Sequence, residues 1–401
     1  MISVEEARER ILAALHPTPA EIVALASAWG HVTATPVVAR LTQPPMDVSA
    51  MDGYALRAAD GTLHAALHVI GSAPAGHPFA GTVGPGQAVR LFTGSVVPPG
   101  ADAILLQEDA TATGTEVRVN EAVVAGRHIR RAGQDFAAGD AVVPAGRRLT
   151  ARDIGLAAAA NHPWLTVHRR PRVAILATGD EIAMPGEPIP PGGIVSSNSH
   201  ALAALVRAAG GEPVVLPVAA DTREAVAAVA DAVHGMDMLV TTGGASVGDH
   251  DLVIESLKSR GLELDFWQIA MRPGKPLLYG RLGAVPVLGL PGNPVSAMVC
   301  SILFLLPALS RLSGLPAAPP PTVQAIAGAA LRPNDHRADH LRSTISIDLQ
   351  GRIVATPFPV QDSAMLRRLA HADALILRAP NAPAVPEGAE VTIIRLDTLG
   401  I

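Results

Sequence analysis

Lysine is almost absent from this chain: of 31 basic residues only Lys258 and Lys275 are lysines. Where arginine supplies nearly every positive charge, a remaining lysine points to a need for a compact cation with three donors. Lys258 falls in a helix-like, solvated stretch. Lys275 falls in Arg272-Pro273-Gly274-Lys275-Pro276, two cations around a rigid Pro-Gly. That pair suits an oxyanion such as phosphate; its plain structural alternative is an ion pair.

Further segments carry related chemistry. Gly289-Leu290-Pro291-Gly292-Asn293-Pro294-Val295-Ser296 places Asn293 to cap a helix whose first turn holds Pro294 and Ser296, and a helix N-terminus with a hydroxyl suits an oxyanion. In Thr242-Gly243-Gly244-Ala245-Ser246-Val247-Gly248-Asp249 the glycines let backbone amides approach an anion closely, although one such loop alone reads as a tight turn. Thr178-Gly179-Asp180-Glu181 adds carboxylates, as do Asp221, Asp249 and Asp251. Carboxylates beside a phosphate site commonly hold Mg²⁺, which takes oxygen ligands and keeps waters; Asp221 and Asp251 would serve as well as helix N-caps. Elsewhere, Ser49-Ala50-Met51-Asp52-Gly53-Tyr54-Ala55, Leu91-Phe92-Thr93-Gly94 and Arg130-Arg131-Ala132-Gly133-Gln134-Asp135 are polar turns that, taken singly, need mean no more than turn chemistry.

The elements that would position these segments follow from periodicity. Ser3 to Glu6 reads as a capping box opening a helix with Ile11, Leu12 and Leu15 on its apolar stripe, and a second helix is expected over Pro19 to Ala28. From Val37 to Asp135, short β-like runs (Ala65–Ile70, Ala88–Leu91, Ala103–Leu106, Glu116–Val119) alternate with Gly/Pro turns, as in a small β domain. A helix over Ala151 to Ala160 follows. From Arg172, strands and helices alternate: strands at Val173–Ala177, Pro213–Pro217, Met238–Thr242 and Val285–Leu290, helices at Ser199–Ala209, Thr222–Val233, Asp251–Arg260 and Pro294–Leu312. This predicts a mainly parallel three-layer α/β/α domain, with the rim segments gathered at the carboxyl ends of its strands. Pro316–Pro321 is a linker, and short β runs from Val323 to Ile394 predict a final β domain.

With 401 residues the chain needs more than one core. Its 49% hydrophobic and 17% charged residues describe a globular chain rather than a disordered one, and a net charge of −5 gives no footprint for nucleic acid. The lone cysteine, Cys300, cannot form an internal disulfide, and the N-terminus carries no signal peptide, so a reducing cytoplasm is expected. The apolar stretch Val295 to Leu312 is broken by Ser296, Ser301, Pro307, Ser310 and Arg311 and reads as a buried helix rather than a membrane span.

Taken together these segments resemble the MoeA-type molybdopterin molybdenumtransferase family, which includes the gephyrin E domain. The resemblance runs nearly end to end, through Pro44-Pro45-Met46-Asp47, Ser49 to Ala55, Thr93-Gly94, Pro98 to Asp102, Gly133-Gln134-Asp135, Thr178 to Glu181, Ser197-Asn198-Ser199, Gly243 to Asp249, Arg272 to Pro276 and Leu290 to Ser296. The chain departs from the pattern at Val48, Ser196, Arg272 and Asp362, which stand where asparagine, aspartate, lysine and glycine are usual.

The resemblance implies an α/β multidomain fold: an N-terminal helical region (1–37 and 136–168), an inserted β domain (38–135), a three-layer α/β/α molybdopterin-binding domain (169–312) and a C-terminal β domain (313–401). It implies a homodimer with the site between subunits, one giving the α/β rim and the other the inserted domain. The implied reaction takes molybdate and adenylylated molybdopterin, uses Mg²⁺ and releases AMP. By motif position it gives functional roles to Asp52, Thr93, Asp135, Glu181, Asp221, Asp251 and Lys275. Pterin-nucleotide contacts fall to Gly243, Gly244, Ser246, Arg272, Lys275, Pro291, Gly292, Asn293, Ser296 and Arg130. Mg²⁺ falls to Glu181, Asp221 and Asp251, and molybdate to Arg342 and Ser363. Expected partners are a molybdopterin adenylyltransferase and molybdoenzyme maturation proteins, with no nucleic acid and no membrane. Two other readings stay open: a molybdopterin adenylyltransferase, and a non-catalytic pterin-binding scaffold.

Overall fold

The computed structural model describes residues 1–219, 222, 228–229, 232–243 and 252–400. At its centre a six-stranded sheet runs in the order Glu212–Val215, Arg172–Ala177, Met238–Thr242, Val285–Leu290, Leu278–Leu282, Leu262–Trp267. The first four are parallel; the last two are antiparallel, joined on by a tight turn at Gly283 (φ +61°). Because successive side chains of a strand point to opposite faces, Val173 and Ile175 enter one apolar layer while Ala174 and Leu176 enter the other. The first layer is filled by the helix Asn198–Ala208, by the long helix starting at Pro294 and by the helix Val4–Ala13. Val229, Val233 and Leu257 fill the second. This is the three-layer domain expected, with an antiparallel edge that the sequence pattern did not show. Most of the expected helix over Thr222–Val233 lies outside the described residues.

The helix Val4–Ala13 finds its burial partner here, not in the N-terminal region: Val4, Ala7 and Ile11 are buried in the α/β core. Ser3 accepts from the Glu6 amide at 3.0 Å, but Glu6 turns its carboxylate to Arg10, so the expected capping box is half formed. A complete box appears instead at Thr150 and Asp153, opening the helix Ala151–Ala159.

The helix expected over Pro19 to Ala28 is not one. Ala20–Ala24 is a strand paired with Trp164–His168, followed by a single 3₁₀ turn at Leu25–Ser27. Ile22 and Val23 are β-branched and fit a ladder better than a helix, but the partner strand lies far along the chain and local periodicity cannot reveal it.

Pro294–Leu312 is one 19-residue helix, long and apolar enough to cross a membrane, yet 78% buried inside the protein, as a core helix is. Its middle, Ser301–Leu305, widens to a π turn just before Pro307, which has no N–H to give. The inserted β domain is a six-stranded sheet in the order 103–106, 53–56, 87–91, 66–73, 116–119, 110–113, with a small apolar core on each face. In the C-terminal domain the strands Ala338–Ile347, Ile353–Pro357, Val323–Ala327, Glu390–Arg395 and Ala374–Arg378 follow one another, and the last pairs back to the first, closing a barrel without open edges. The strand Met271–Arg272, from the α/β rim, joins Ala338–Asp339 of that barrel in parallel.

Candidate functional site

At the carboxyl ends of the parallel strands lies a cavity of about 650 Å³, a size that suits a small-molecule ligand. Its floor is Thr178, Thr242 and Gly243, its walls Ile182, Ile194–Asn198 and Pro291–Pro294, and its far side Ala364 and Leu366 of the C-terminal domain. Of the residues singled out from sequence, Glu181, Gly243, Pro291, Gly292 and Asn293 line it; Lys275 stands next to Pro276, which does.

Asn198 knits the walls together. Its amide donates to Thr242 Oγ1 at 2.8 Å and to the Gly292 carbonyl at 2.7 Å, and Thr242 Oγ1 donates on to the Pro291 carbonyl at 3.3 Å. Gly243 has φ +92° and lies so close to Thr178 that a Cβ would sit 2.5 Å from its carbonyl oxygen. Thr178 itself is 2% exposed, and its hydroxyl has no hydrogen-bond partner among the described residues. A buried polar atom left unpaired at a cavity floor is available to a ligand.

Lys275 is half-buried, and its ammonium has no hydrogen-bond or ion-pair partner among the described residues, whereas its carbonyl accepts from Ile269 and Leu277. Gly274 before it has φ +111°, and a Cβ there would meet Cys300 Sγ at 2.5 Å. Ser296 is buried in the first helical turn. Asn293 occupies the N-cap position but makes no side-chain cap, contrary to expectation; its amide donates to Ser363 Oγ at 3.0 Å instead. That contact draws the C-terminal domain onto the helix start.

Arg342 is the largest fully buried side chain of the described residues. Its Nε and both terminal nitrogens are shielded from water and have no partner among the described residues. Burial pushes its pKa down, opposed by the charge of Asp362, yet a guanidinium stays protonated. Arg272 is differently placed: it binds Asp339 through Nε at 2.7 Å and through a second nitrogen at 2.6 Å, reaches Asp335 and Asn334, and does not line the cavity.

In the inserted domain, Asp52 accepts from the Thr93 amide at 2.7 Å and its hydroxyl at 2.8 Å. These bonds, the amide first, hold the Asp52 carboxyl below its usual range. Arg130 and Asp135 are exposed in the same region of the chain's inserted domain, and Arg130 pairs with Val48 on the strand before the Asp52 turn. None of these residues lines the cavity within the same subunit. Gly244, Ser246, Asp221 and Asp251 lie outside the described residues. Sequence reasoning passed over Asn198 and Thr178 as single residues although their segments were noted, and it gave no sign of Asp339, a charged residue inside the strand Ala338–Ile347.

A rim cavity on a three-layer α/β domain, walled by a β barrel and accompanied by a separate β domain with an acidic turn, defines a class of multidomain α/β proteins with a small-molecule cavity at the sheet rim. Models of known families match in three blocks: the MoeA N-terminal region (domain I and II) over residues 2–161, a probable molybdopterin binding domain over 174–311, and the MoeA C-terminal region (domain IV) over 324–396. The chain belongs to the MoeA family. It is 33% identical to a molybdopterin molybdenumtransferase of Haemophilus influenzae over 398 residues, 98% of each chain. It is 38% identical to molybdopterin molybdenumtransferase 2 of Mycobacterium tuberculosis over 390 residues, 94% of this chain and 95% of that one. A solved molybdopterin biosynthesis MoeA protein of Pyrococcus horikosii superposes with TM-score 0.86 at 29% identity, covering 98% of this chain and 99% of that one.

Proposed function

We propose that this chain is a molybdopterin molybdenumtransferase, which joins molybdate to adenylylated molybdopterin, releases AMP and works as a cytoplasmic homodimer. The observation that carries this reading is Arg342, a guanidinium enclosed by protein with no acceptor for its three nitrogens among the described residues. A buried, unpaired cation is costly, and an oxyanion such as molybdate is the ligand that relieves it. Its backbone is tied to Gln361, and Ser363 and Ala364 continue the same segment into the cavity wall. Arg342 and Ser363 therefore serve as the molybdate side of the site, with Lys275 as the rim counter-charge.

The pterin nucleotide is accommodated by the cavity between Gly243 and the Pro291–Ser296 turn. Asn198 ties these loops together, Thr178 supplies a hydroxyl with no partner among the described residues, and Ser296 with the helix start favours a phosphate. Glu181, which stands exposed at the cavity, fits one ligand of Mg²⁺, an ion that keeps several waters. Asp221 and Asp251 would complete the set, and Mg²⁺ would supply charge neutralisation at the phosphoryl group. Asp52, Thr93, Arg130 and Asp135 come to the rim from the partner subunit in this reading. A dimer is supported by an apolar face left on the N-terminal sheet, where Ile22 is 72% and Trp164 57% exposed. The four-region division and its boundaries (1–37 with 136–168, 38–135, 169–312, 313–401) belong to the same proposal. So do the partners: an adenylyltransferase upstream, because the substrate arrives adenylylated, and maturation proteins downstream.

The test is to mix the purified protein with adenylylated molybdopterin, Mg²⁺ and molybdate. AMP release with formation of active cofactor is expected. Adenylylation of molybdopterin from ATP would make it an adenylyltransferase, and binding without turnover would make it a scaffold.

A further inference from the structure

We infer that Arg272 is a positioning strut that sets the separation of Lys275 and Arg342, rather than a ligand of the bound anion. The inference rests on the reading that these two cations hold molybdate, and it assigns Arg272 a role different from theirs. The geometry is that of two strands of the same chain meeting in parallel: Met271 lies beside Ala338 and Arg272 beside Asp339, and the Ala338 amide donates to the Ala270 carbonyl at 2.9 Å. Three residues further on, one segment carries Lys275 and the other Arg342. The register at Arg272 and Asp339 thus decides how the α/β rim faces the barrel.

The fork is what fixes that register. Two nitrogens of Arg272 meet the two oxygens of Asp339 at 2.7 and 2.6 Å, a match that arginine makes and lysine cannot. The Asp339 side chain is only 9% exposed, so it depends on this partner. Asp335 takes the remaining nitrogen and Asn334 shares the second one, each at 3.3 Å, so the charge of Arg272 is answered within the protein. The barrel's second tie to the rim, Asn293 to Ser363, sits at the cavity wall. With both ties made, the barrel is located at two points, and Lys275 is the rim cation left for the anion.

Two variants separate strut from ligand. Arg272→Lys keeps the charge and loses the fork; Asp339→Asn keeps Arg272 and weakens its hold. For a strut, both raise KM for molybdate by about tenfold, leave KM for the adenylylated pterin unchanged, and the double variant is no worse than the weaker single. If Asp339→Asn leaves molybdate KM unchanged or lowers it, or if the two effects multiply, Arg272 binds the anion itself and the inference falls. Hydrogen exchange at the Ala338 amide gives a readout independent of molybdate: it should quicken in Asp339→Asn, and unchanged protection overturns the strut. Lys275→Ala and Arg342→Ala test the underlying reading separately. Wild-type molybdate binding in both would remove the oxyanion site, while the exchange measurement would still decide the strut.

Discussion

Asn293 gives its side-chain amide to the hydroxyl of Ser363 at 3.0 Å, and the Val295 amide reaches the Ser363 carbonyl at 3.1 Å. A helix start in the α/β domain is thus capped by a loop of the C-terminal barrel rather than by its own N-cap side chain. The first turn of that helix, where an oxyanion is favoured, and the segment that follows Arg342 in space become one wall.

Lys275 is the rim cation with no partner among the described residues, and its removal leaves no buried carboxylate orphaned. Lys275→Ala should fold as the wild type does and lose about a hundredfold in AMP release, the loss typical of one electrostatic contact made in the transition state. Turnover within twofold of wild type would remove Lys275 from the site.

Thr93 holds the Asp52 carboxyl low by two bonds, and Thr93→Val removes only the hydroxyl one. The Asp52 pKa should rise toward its ordinary value. A depressed carboxyl pKa keeps the charge down to lower pH, so relieving it moves the acid limb of kcat/KM to higher pH while the plateau above it stays in place. An acid limb that does not move would mean that the charge on Asp52 is not required for turnover.

Asn198 makes its two bonds in a partly buried position between three loops. Asn198→Ala should cost about 1–3 kcal/mol in denaturant unfolding, the usual cost of leaving such acceptors unpaired, and should raise KM for the pterin substrate. Equal stability and unchanged KM would show that the loops hold themselves.

Gly274 is required twice over, by φ +111° and by the approach of Cys300 Sγ to where a Cβ would stand. Gly274→Ala should destabilise by about 1–3 kcal/mol and displace Lys275. Cys300→Ala in the same chain should recover the steric part only; full recovery would show that backbone conformation contributes nothing.

Much of this architecture can be read from the chain. Buried runs such as Val173–Ala177 and Met238–Thr242 announce parallel strands because both faces are covered, and the Gly, Pro and Asn turns after them mark the rim. What could not be read depends on partners distant in sequence. Ala20–Ala24 is a strand because Trp164–His168 lies beside it. The helix Val4–Ala13 belongs to the α/β core because its stripe meets that layer. The pairing of Arg272 with Asp339 could not be read either, since nothing local announces Asp339. Arg342 was placed by resemblance alone; that its nitrogens have no partner is visible only in three dimensions.

The central claim is that the Lys275 rim of one subunit and the Asp52 turn of its partner make one site. Mixing Lys275→Ala and Asp52→Ala homodimers, each inactive, under conditions that exchange subunits tests it directly. Half of the dimers become mixed and each holds one site with both residues intact, so about a quarter of wild-type activity should return. Activity that stays at the level of the parent variants, with exchange verified, would contradict a site shared across the dimer.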